Sequence, residues 1–453
     1  MEQNEHTRAF ARRPSLAWFA TIGLAVALVL GIVSCGDDAA DPEVAPSGEV
    51  TAVSSDTCGE LEYGGRGEPE ALIVSDLPMQ GDSARRSEQH VEAIRLALER
   101  EDWLAGDVPV GFQVCDDSIA ETGLWDAEVC RSNAEAYAAN EVLLGVIGTY
   151  NSGCAAEMIP VLNEAGVAMI SPGNTAVCLT RPSEGCEDGQ PESLYESGER
   201  NYLRVVPNDA FQGAGLAQFA RDQGAKRAFV LYATDDPTSA GQAANFRGAA
   251  EDLGLDVVGF ETWDPEASDY VDLMEKVRKA RADAVVLAGL IDQNGAQLIG
   301  DKVDVLGSND ELPLIAFDGF SQQATVDDGG DAARGMFASV TGRAPEQLSG
   351  EGEAFVRELQ GRLDEKPVEL YAPYAGEAAF VLLDAIGEAG PDRAGVIDAL
   401  FATDRENGIL GDYGFEPSGD PTVGPVTIFR ANGTFERIDE ISPEPRLVSA
   451  ARR

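Results

Sequence analysis

Lysine is nearly missing from this chain. Five occur, Lys226, Lys276, Lys279, Lys302 and Lys366, and basic residues number 33 against 79 acids, a net charge of −46 over 453 residues. A surface of that sign is repelled by phosphate backbones and by anionic lipid, which excludes nucleic acid and a charged membrane face as partners. Histidine is scarcer still, with only His6 and His90. There is no Cys-x-x-Cys pair and no histidine cluster, so neither a metal site nor a cofactor is expected. The nucleophile, metalloprotease and phosphate-loop motifs G-x-S-x-G, H-E-x-x-H and G-x-x-x-x-G-K are absent too. Gly213-Ala214-Gly215 lacks the third glycine of a dinucleotide fingerprint and sits inside a helical pattern. The helical pattern puts His90 on an exposed face, leaving no base for a serine triad, so no catalytic residue is assigned and the chain reads as a non-enzyme. The acids are interleaved with periodic apolar residues, which argues for a folded chain rather than a disordered one. Its length is enough for two or three domains.

Long hydrophobic runs are also missing, with one exception. Ala17–Val33 is almost wholly apolar and follows Arg8, Arg12 and Arg13, the pattern of an export signal over residues 1–34. It ends at Ile32-Val33-Ser34-Cys35, which resembles a bacterial lipobox and makes Cys35 the expected lipidation site; an uncleaved membrane anchor is the rival reading. Residues 35–68, rich in Asp, Pro, Ser and Gly, read as a flexible tether. The body is then extracytoplasmic and meets the membrane only through its lipid. The other six cysteines, Cys58, Cys115, Cys130, Cys154, Cys178 and Cys186, suit disulfides in such a compartment. Cys178 with Cys186 is the first expected pair, and Cys115 with Cys130 the next.

From Ala71 on, short continuous apolar runs alternate with helical patterns. Strands are expected at 71–76, 110–117, 142–148, 167–171, 202–206, 227–233, 255–261, 283–289, 312–317 and 335–340, with helices between them. Continuous rather than alternating apolar strands mark parallel sheets covered on both faces, and the pattern occurs twice, giving two doubly wound α/β units. Long helices follow at 351–363 and 371–388, with a shorter one at 392–402. Two strands then flank Asn432-Gly433, a hairpin signal.

In such sheets ligands bind beyond the carboxyl ends of the strands. Four segments stand there. In Gly148–Cys154, which contains Tyr150, Ser152 occupies an N-cap position where its hydroxyl and the free N–H groups behind it could hold a carboxylate; plain capping is the alternative. Ser171-Pro172-Gly173-Asn174-Thr175 could present backbone N–H groups and the Thr175 hydroxyl, or be an ordinary turn. Asp318, after an apolar run, could pair with an ammonium or merely begin a turn before Gly319. Ser239, in the loop after residue 233, could cap the next helix, and Leu290 could wall an apolar pocket. Hydroxyls in one unit and a carboxylate in the other suit a small zwitterion. No Arg or Lys lies in these loops, which argues against phosphate or sugar-acid ligands.

The run GVIGTYNSGCAAEMIPVLNEAGVAMISPGNTAVCLT (145–180) resembles the branched-chain amino-acid (leucine-isoleucine-valine) binding proteins, with further matches in VCDDS (114–118), NYLRVVPND (201–209), LIAFDGF (314–320), AARGMF (332–337) and YAPYAGEAAFVLLDAI (371–386). The resemblance implies the type I periplasmic binding fold, a Venus-flytrap of two lobes joined by three crossovers near Pro207, Phe320 and Asp412. The lobes would be 69–206 plus 320–412 and 207–319 plus 413–445. It implies a monomeric receptor that delivers an amino acid or similar small zwitterion or amide to an ABC permease and its ATPase. Ser152, Thr175 and the Gly173–Asn174 backbone would hold the ligand carboxylate, and Asp318 its amine. Aromatic residues that family members often carry near residues 235–241 and 290 are missing here. A sensory module working through a partner protein is the alternative function.

Overall fold

Strand follows helix as the apolar pattern requires, and the order decides where the site lies. A computed structural model describes residues 50–120, 122–363 and 367–452; the leader, its apolar run and Cys35 lie outside the described residues. The chain opens with β1 (Ala71–Leu77), α1 (Ala84–Arg100), β2 (Leu104–Ala105), β3 (Val108–Asp116), α2 (Ala127–Ala138), β4 (Leu143–Gly148), α3 (Ser152–Glu164), β5 (Ala168–Ser171) and β6 (Tyr202–Arg204). These strands form a sheet in the order β2-β3-β1-β4-β5-β6, parallel except at β2. Every residue of β1 and β4 is buried, because helices cover both faces.

The next stretch comprises α4 (Asp209–Asp222), β7 (Arg227–Ala233), α5 (Pro237–Asp252), β8 (Asp256–Trp263), α6 (Val271–Ala280), β9 (Ala284–Ala288), α7 (Gly295–Leu306), β10 (Leu314–Ala316), α8 (Gln323–Ala333) and β11 (Phe337–Thr341). The chain then returns to the first sheet with α9 (Glu351–Arg362), α10 (Ala372–Ala389) and α11 (Arg393–Phe401), whose apolar residues join the core against β1, β3 and α1. A hairpin of β12 (Asp404–Gly408) and β13 (Gly411–Gly414) precedes β14 (Val426–Ala431), β15 (Phe435–Ile441) and α12 (Pro445–Ala451). The second sheet runs β15-β14-β11-β10-β9-β7-β8. The chain therefore passes between sheets three times: after β6, after β11 and between β13 and β14. The described residues form two doubly wound α/β lobes joined by three crossovers, all within one compact unit.

Three expectations change. β11, given above to the first lobe, pairs with β10 and β14 in the second sheet, since its apolar run says strand but not which neighbour it bonds. Residues 50–63, read as tether, are held along β3: Gly59 N donates to Val114 O at 2.8 Å, Glu62 and Phe112 exchange backbone bonds at 2.7 and 2.9 Å, and Val53 is buried. Backbone pairing needs no apolar periodicity, so the sequence pattern carries no sign of it. Finally, Cys115 pairs with Cys58, which faces it from that segment, and Cys130 pairs with Cys154, joining α2 to the first turn of α3; Cys178–Cys186 forms as expected. The Asn432-Gly433 hairpin also forms, with Gly433 at φ 81°. Gly213, part of the discarded dinucleotide motif, lets α4 approach α5: a Cβ there would stand 2.6 Å from the Asn245 carbonyl carbon.

The Cys130–Cys154 bridge spans 24 residues. Loop-closure entropy of that size corresponds to about 3 kcal/mol. Replacing both cysteines by serine is expected to lower the stability by that amount, read from urea midpoints.

Candidate functional site

All four segments follow the carboxyl ends of parallel strands, two in each lobe. At the first, the N-cap of α3 is Asn151 rather than Ser152. Ser152 is the first helical residue, and its Oγ accepts from the Ala176 N–H at 3.2 Å, tying α3 to the next loop. The hydroxyl hydrogen remains available to donate, beside first-turn N–H groups that have no intrahelical acceptor. In the second segment, the Ser171 Oγ accepts from the N–H groups of both Gly173 (3.1 Å) and Asn174 (2.9 Å). The turn's backbone donors are thus already engaged, contrary to their expected role. The Asn174 side chain is engaged too, donating to the Thr149 carbonyl at 3.0 Å and accepting from the Tyr202 hydroxyl at 3.0 Å.

Thr175 reaches the other lobe. Its carbonyl accepts from the N–H of Asp209, at the start of α4, at 2.8 Å. Gln242 of α5 donates its Nε2 to Asp209 Oδ1 at 3.3 Å and to Asp318 Oδ1 at 2.9 Å. Thr175 and Asp318, expected on opposite walls, are therefore joined through two residues that the sequence reading did not select. Burial, then the charge of Asp318, pushes the Asp209 carboxyl up to about 7. Burial likewise pushes Asp318 up to about 6, against the hydrogen bonds it accepts.

The remaining residues sit around this network. Asp236, not Ser239, caps α5, accepting from the N–H groups of Thr238 and Ser239; the Ser239 Oγ donates to the same carboxylate at 2.5 Å. Gln293 donates to Asp236 at 2.7 Å and accepts from the Leu290 N–H at 2.8 Å. Gly319 lets the Asp318 turn lie against this corner, since a Cβ there would stand 2.2 Å from the Gly289 carbonyl oxygen. Leu290 itself is 41% exposed. Tyr150 forms the opposite wall: His90 stacks on its ring at 5.6 Å, the Arg86 guanidinium lies 3.8 Å from its centroid, and Tyr371 stands at 6.3 Å. Burial, offset in part by Arg86, raises the Tyr150 hydroxyl's pKa.

Residues 77–436 match the family model described as a periplasmic binding protein. The chain belongs to that family. Leu/Ile/Val-binding protein homolog 1 of Brucella abortus (strain 2308) is 23% identical over 386 residues, 84% of this chain and 96% of that protein. The leucine-, isoleucine-, valine-, threonine- and alanine-binding protein of Pseudomonas aeruginosa is 24% identical over 284 residues, 62% of this chain and 69% of its own length. Among solved structures, the leucine binding protein LivK from Thermotoga maritima superposes with a TM-score of 0.69 at 23% identity, covering 82% of this chain and 99% of that one. An R. palustris solute binding protein in complex with benzoate gives 0.64 at 17% identity, covering 82% and 96%. The fold is the type I periplasmic one that the resemblance implies.

In this binding protein the first and third crossovers meet at a buried ion pair. Arg204 of β6 and Asp420, between β13 and β14, are both fully buried, with Nε to Oδ1 at 3.0 Å. Asp420 also accepts from Thr180 (2.9 Å), Arg181 (2.9 Å) and Ser418 (3.0 Å). Burial works to raise its pKa, but Arg204 and these donors hold it below the usual carboxylate range. Arg204 in turn donates to the carbonyls of Asn174 (3.0 Å) and Ala176 (2.8 Å), which fixes the loop carrying Thr175. Beside it, the loop closed by Cys178–Cys186 reaches α5: Asn245 donates to the Ser183 Oγ at 2.9 Å and Arg247 pairs with Glu184.

Arg86, His90, Asp209, Gln242 and the Arg204–Asp420 pair escaped sequence reasoning. Asp209 follows Asn208, so the two read as an ordinary helix start, and Gln242 is one polar residue among alanines. His90, expected on an exposed face, is fully buried and stacked on the Tyr150 ring. Arg86 supplies the cleft with a cation that the strand-end loops themselves lack. Neither ring nitrogen of His90 has a hydrogen-bond partner among the described residues, and burial pushes its pKa down to about 3. The unfolded chain then binds a proton that the folded chain refuses, so this residue's contribution to stability is complete above the ordinary value of about 6.5 and falls as pH drops below it. Relative to His90→Gln, the wild type is expected to lose about 2 kcal/mol between pH 7 and pH 5, measured by denaturant unfolding at each pH.

Proposed function

We propose that this protein is the extracytoplasmic receptor of an ABC importer and takes a free amino acid between its lobes. The observation that carries the reading is the hydrogen-bonded chain Thr175–Asp209–Gln242–Asp318, which runs from the loop after β5 in one lobe to two carboxyl groups in the other. A ligand carboxylate suits the Ser152–Thr175 side, where the α3 dipole and hydroxyls favour negative charge. An ammonium suits Asp318. Leucine- and Leu/Ile/Val-binding relatives support the amino-acid class. The lobe cores are the two sheets, and closure about the three crossovers gives the permease a state to distinguish.

The protein acts as a monomer and carries out no chemistry on its ligand. Residues 1–34 direct export, and lipidation of Cys35 holds the body at the membrane. The test is a thermal-shift screen with L-leucine, L-isoleucine, L-valine, benzoate and 4-hydroxybenzoate. A ligand that binds only the folded state raises the midpoint by mass action. The amino acids are expected to shift it and the benzoates are not. A shift by benzoates alone would replace the amino-acid reading with an aromatic-acid one, for which the Tyr150–Tyr371–Arg86 wall would provide contacts.

A further inference from the structure

We infer that the ammonium end of the cleft is a pair of carboxyl groups, Asp318 and Asp209, that share one proton in the empty site, and that a ligand ammonium displaces this proton into solvent. The second half rests on the amino-acid reading above; the first does not.

The geometry is that of two acids on one donor. Asp209 Oδ1 and Asp318 Oδ1 lie 3.3 and 2.9 Å from the same amide nitrogen of Gln242. Asp209 is 2% exposed and Gln242 is 4% exposed. Among the described residues neither carboxyl has a basic partner within 4 Å. The cation acting on Asp209 is Arg204, already bound to Asp420. The groups facing Asp318 are Gln212 and Gln242 from its own lobe and the Tyr150 and Tyr371 rings from the other. Arg86 and Glu369 act on Tyr150. Asp209 faces the Thr175 hydroxyl, Gln242 and Asp318.

Two like charges at low dielectric cannot both ionise cheaply, so one proton stays on the pair. Burial raises both carboxyls, and the charge of Asp318 raises Asp209 further. When an ammonium enters, its charge replaces that of the proton. The protonated pair, carrying one negative charge, becomes a doubly charged pair holding R–NH3+, and one H+ passes to the buffer. Gln242 is a positioning residue: its two amide hydrogens hold one carboxylate each.

The pair is tested without ligand by 13C NMR of aspartate-labelled protein. A carboxyl titration centred between pH 6 and 7 is expected. Asp209→Asn should lower the midpoint of Asp318, Asp318→Asn that of Asp209, and Gln242→Met should raise both. Ordinary midpoints below pH 5 in the wild type, or one group unmoved by substitution of the other, would overturn the inference. The displacement is tested by calorimetry with L-leucine at pH 6 in phosphate and in bis-Tris. Release of about one proton is expected in the wild type and close to none in Asp209→Asn, with circular dichroism confirming that the variant is folded. Leucine binding without proton release would overturn the displacement. Absence of any leucine binding, with the pair titrating as expected, would remove the leucine reading of the cleft and leave the carboxyl pair standing.

Discussion

Asp420→Ala is expected to cost roughly 3–5 kcal/mol of folding stability, because it strands the fully buried Arg204 without a counter-charge. Arg181 and the Thr180 hydroxyl lose their acceptor as well. The measurement is urea unfolding, with the midpoint compared at constant slope. Arg204→Met combined with Asp420→Leu is expected to recover part of the loss, since an apolar pair leaves no uncompensated charge. The pH dependence has a definite sign. A carboxyl whose folded pKa is depressed contributes stability that is complete above its ordinary value, near 4, and disappears as pH falls through the folded one. The wild type and Asp420→Ala should therefore converge in strong acid. A loss below 1 kcal/mol at neutral pH would show that water reaches Arg204 and that the hinge is not dry.

The second large effect concerns ligand. With L-leucine as probe, Asp318→Ala is expected to weaken binding about a hundredfold, near 3 kcal/mol, because a desolvated ammonium loses its charged acceptor. Calorimetry or the concentration dependence of the thermal shift reads this directly. The same substitution acts on the empty protein with the opposite sign. The Asp318 pKa is raised by burial, so the stability of its protonated form is complete below the ordinary value near 4 and has been lost once pH passes about 6. The empty variant should melt above the wild type at pH 8, by a margin that shrinks below pH 6 and closes near pH 4. Weaker binding together with a more stable empty protein is the signature of a group kept for its ligand. Wild-type affinity in Asp318→Ala would remove this residue from the site.

Much of the fold was legible because parallel strands covered on both faces must be apolar throughout. β1, β4 and β9 are buried along their whole length, and their runs of Leu, Ile and Val announce them. Helix ends were less legible: Asp236 rather than the expected Ser239 caps α5, and Asn208 caps α4. The site was legible only as positions at strand ends. Ser152, Thr175 and Asp318 stand there, but nothing local to the chain marks the Gly173 and Asn174 donors as turned onto Ser171, or Leu290 as exposed. The pairing of the 50–63 segment with β3 was missed because two isolated backbone bridges, the Gln113 side chain and one disulfide hold it, and none leaves a periodic trace.

The sequence alone determined what depends on neighbours along the chain: the alternation of strand and helix, the two α/β units, the Asn432-Gly433 hairpin, the short Cys178–Cys186 loop and the acidic net charge. Only the tertiary structure decided what depends on residues far apart. It joined β11 to the second sheet, placed Cys58 across from Cys115, buried His90 against Tyr150 and set Asp209 and Gln242 between Thr175 and Asp318. The reason is physical. Periodicity and capping are short-range and recur with the turn of the backbone, whereas a hydrogen bond between Gln242 and Asp318, 76 residues apart, exists only after two lobes have packed their strands in one particular order.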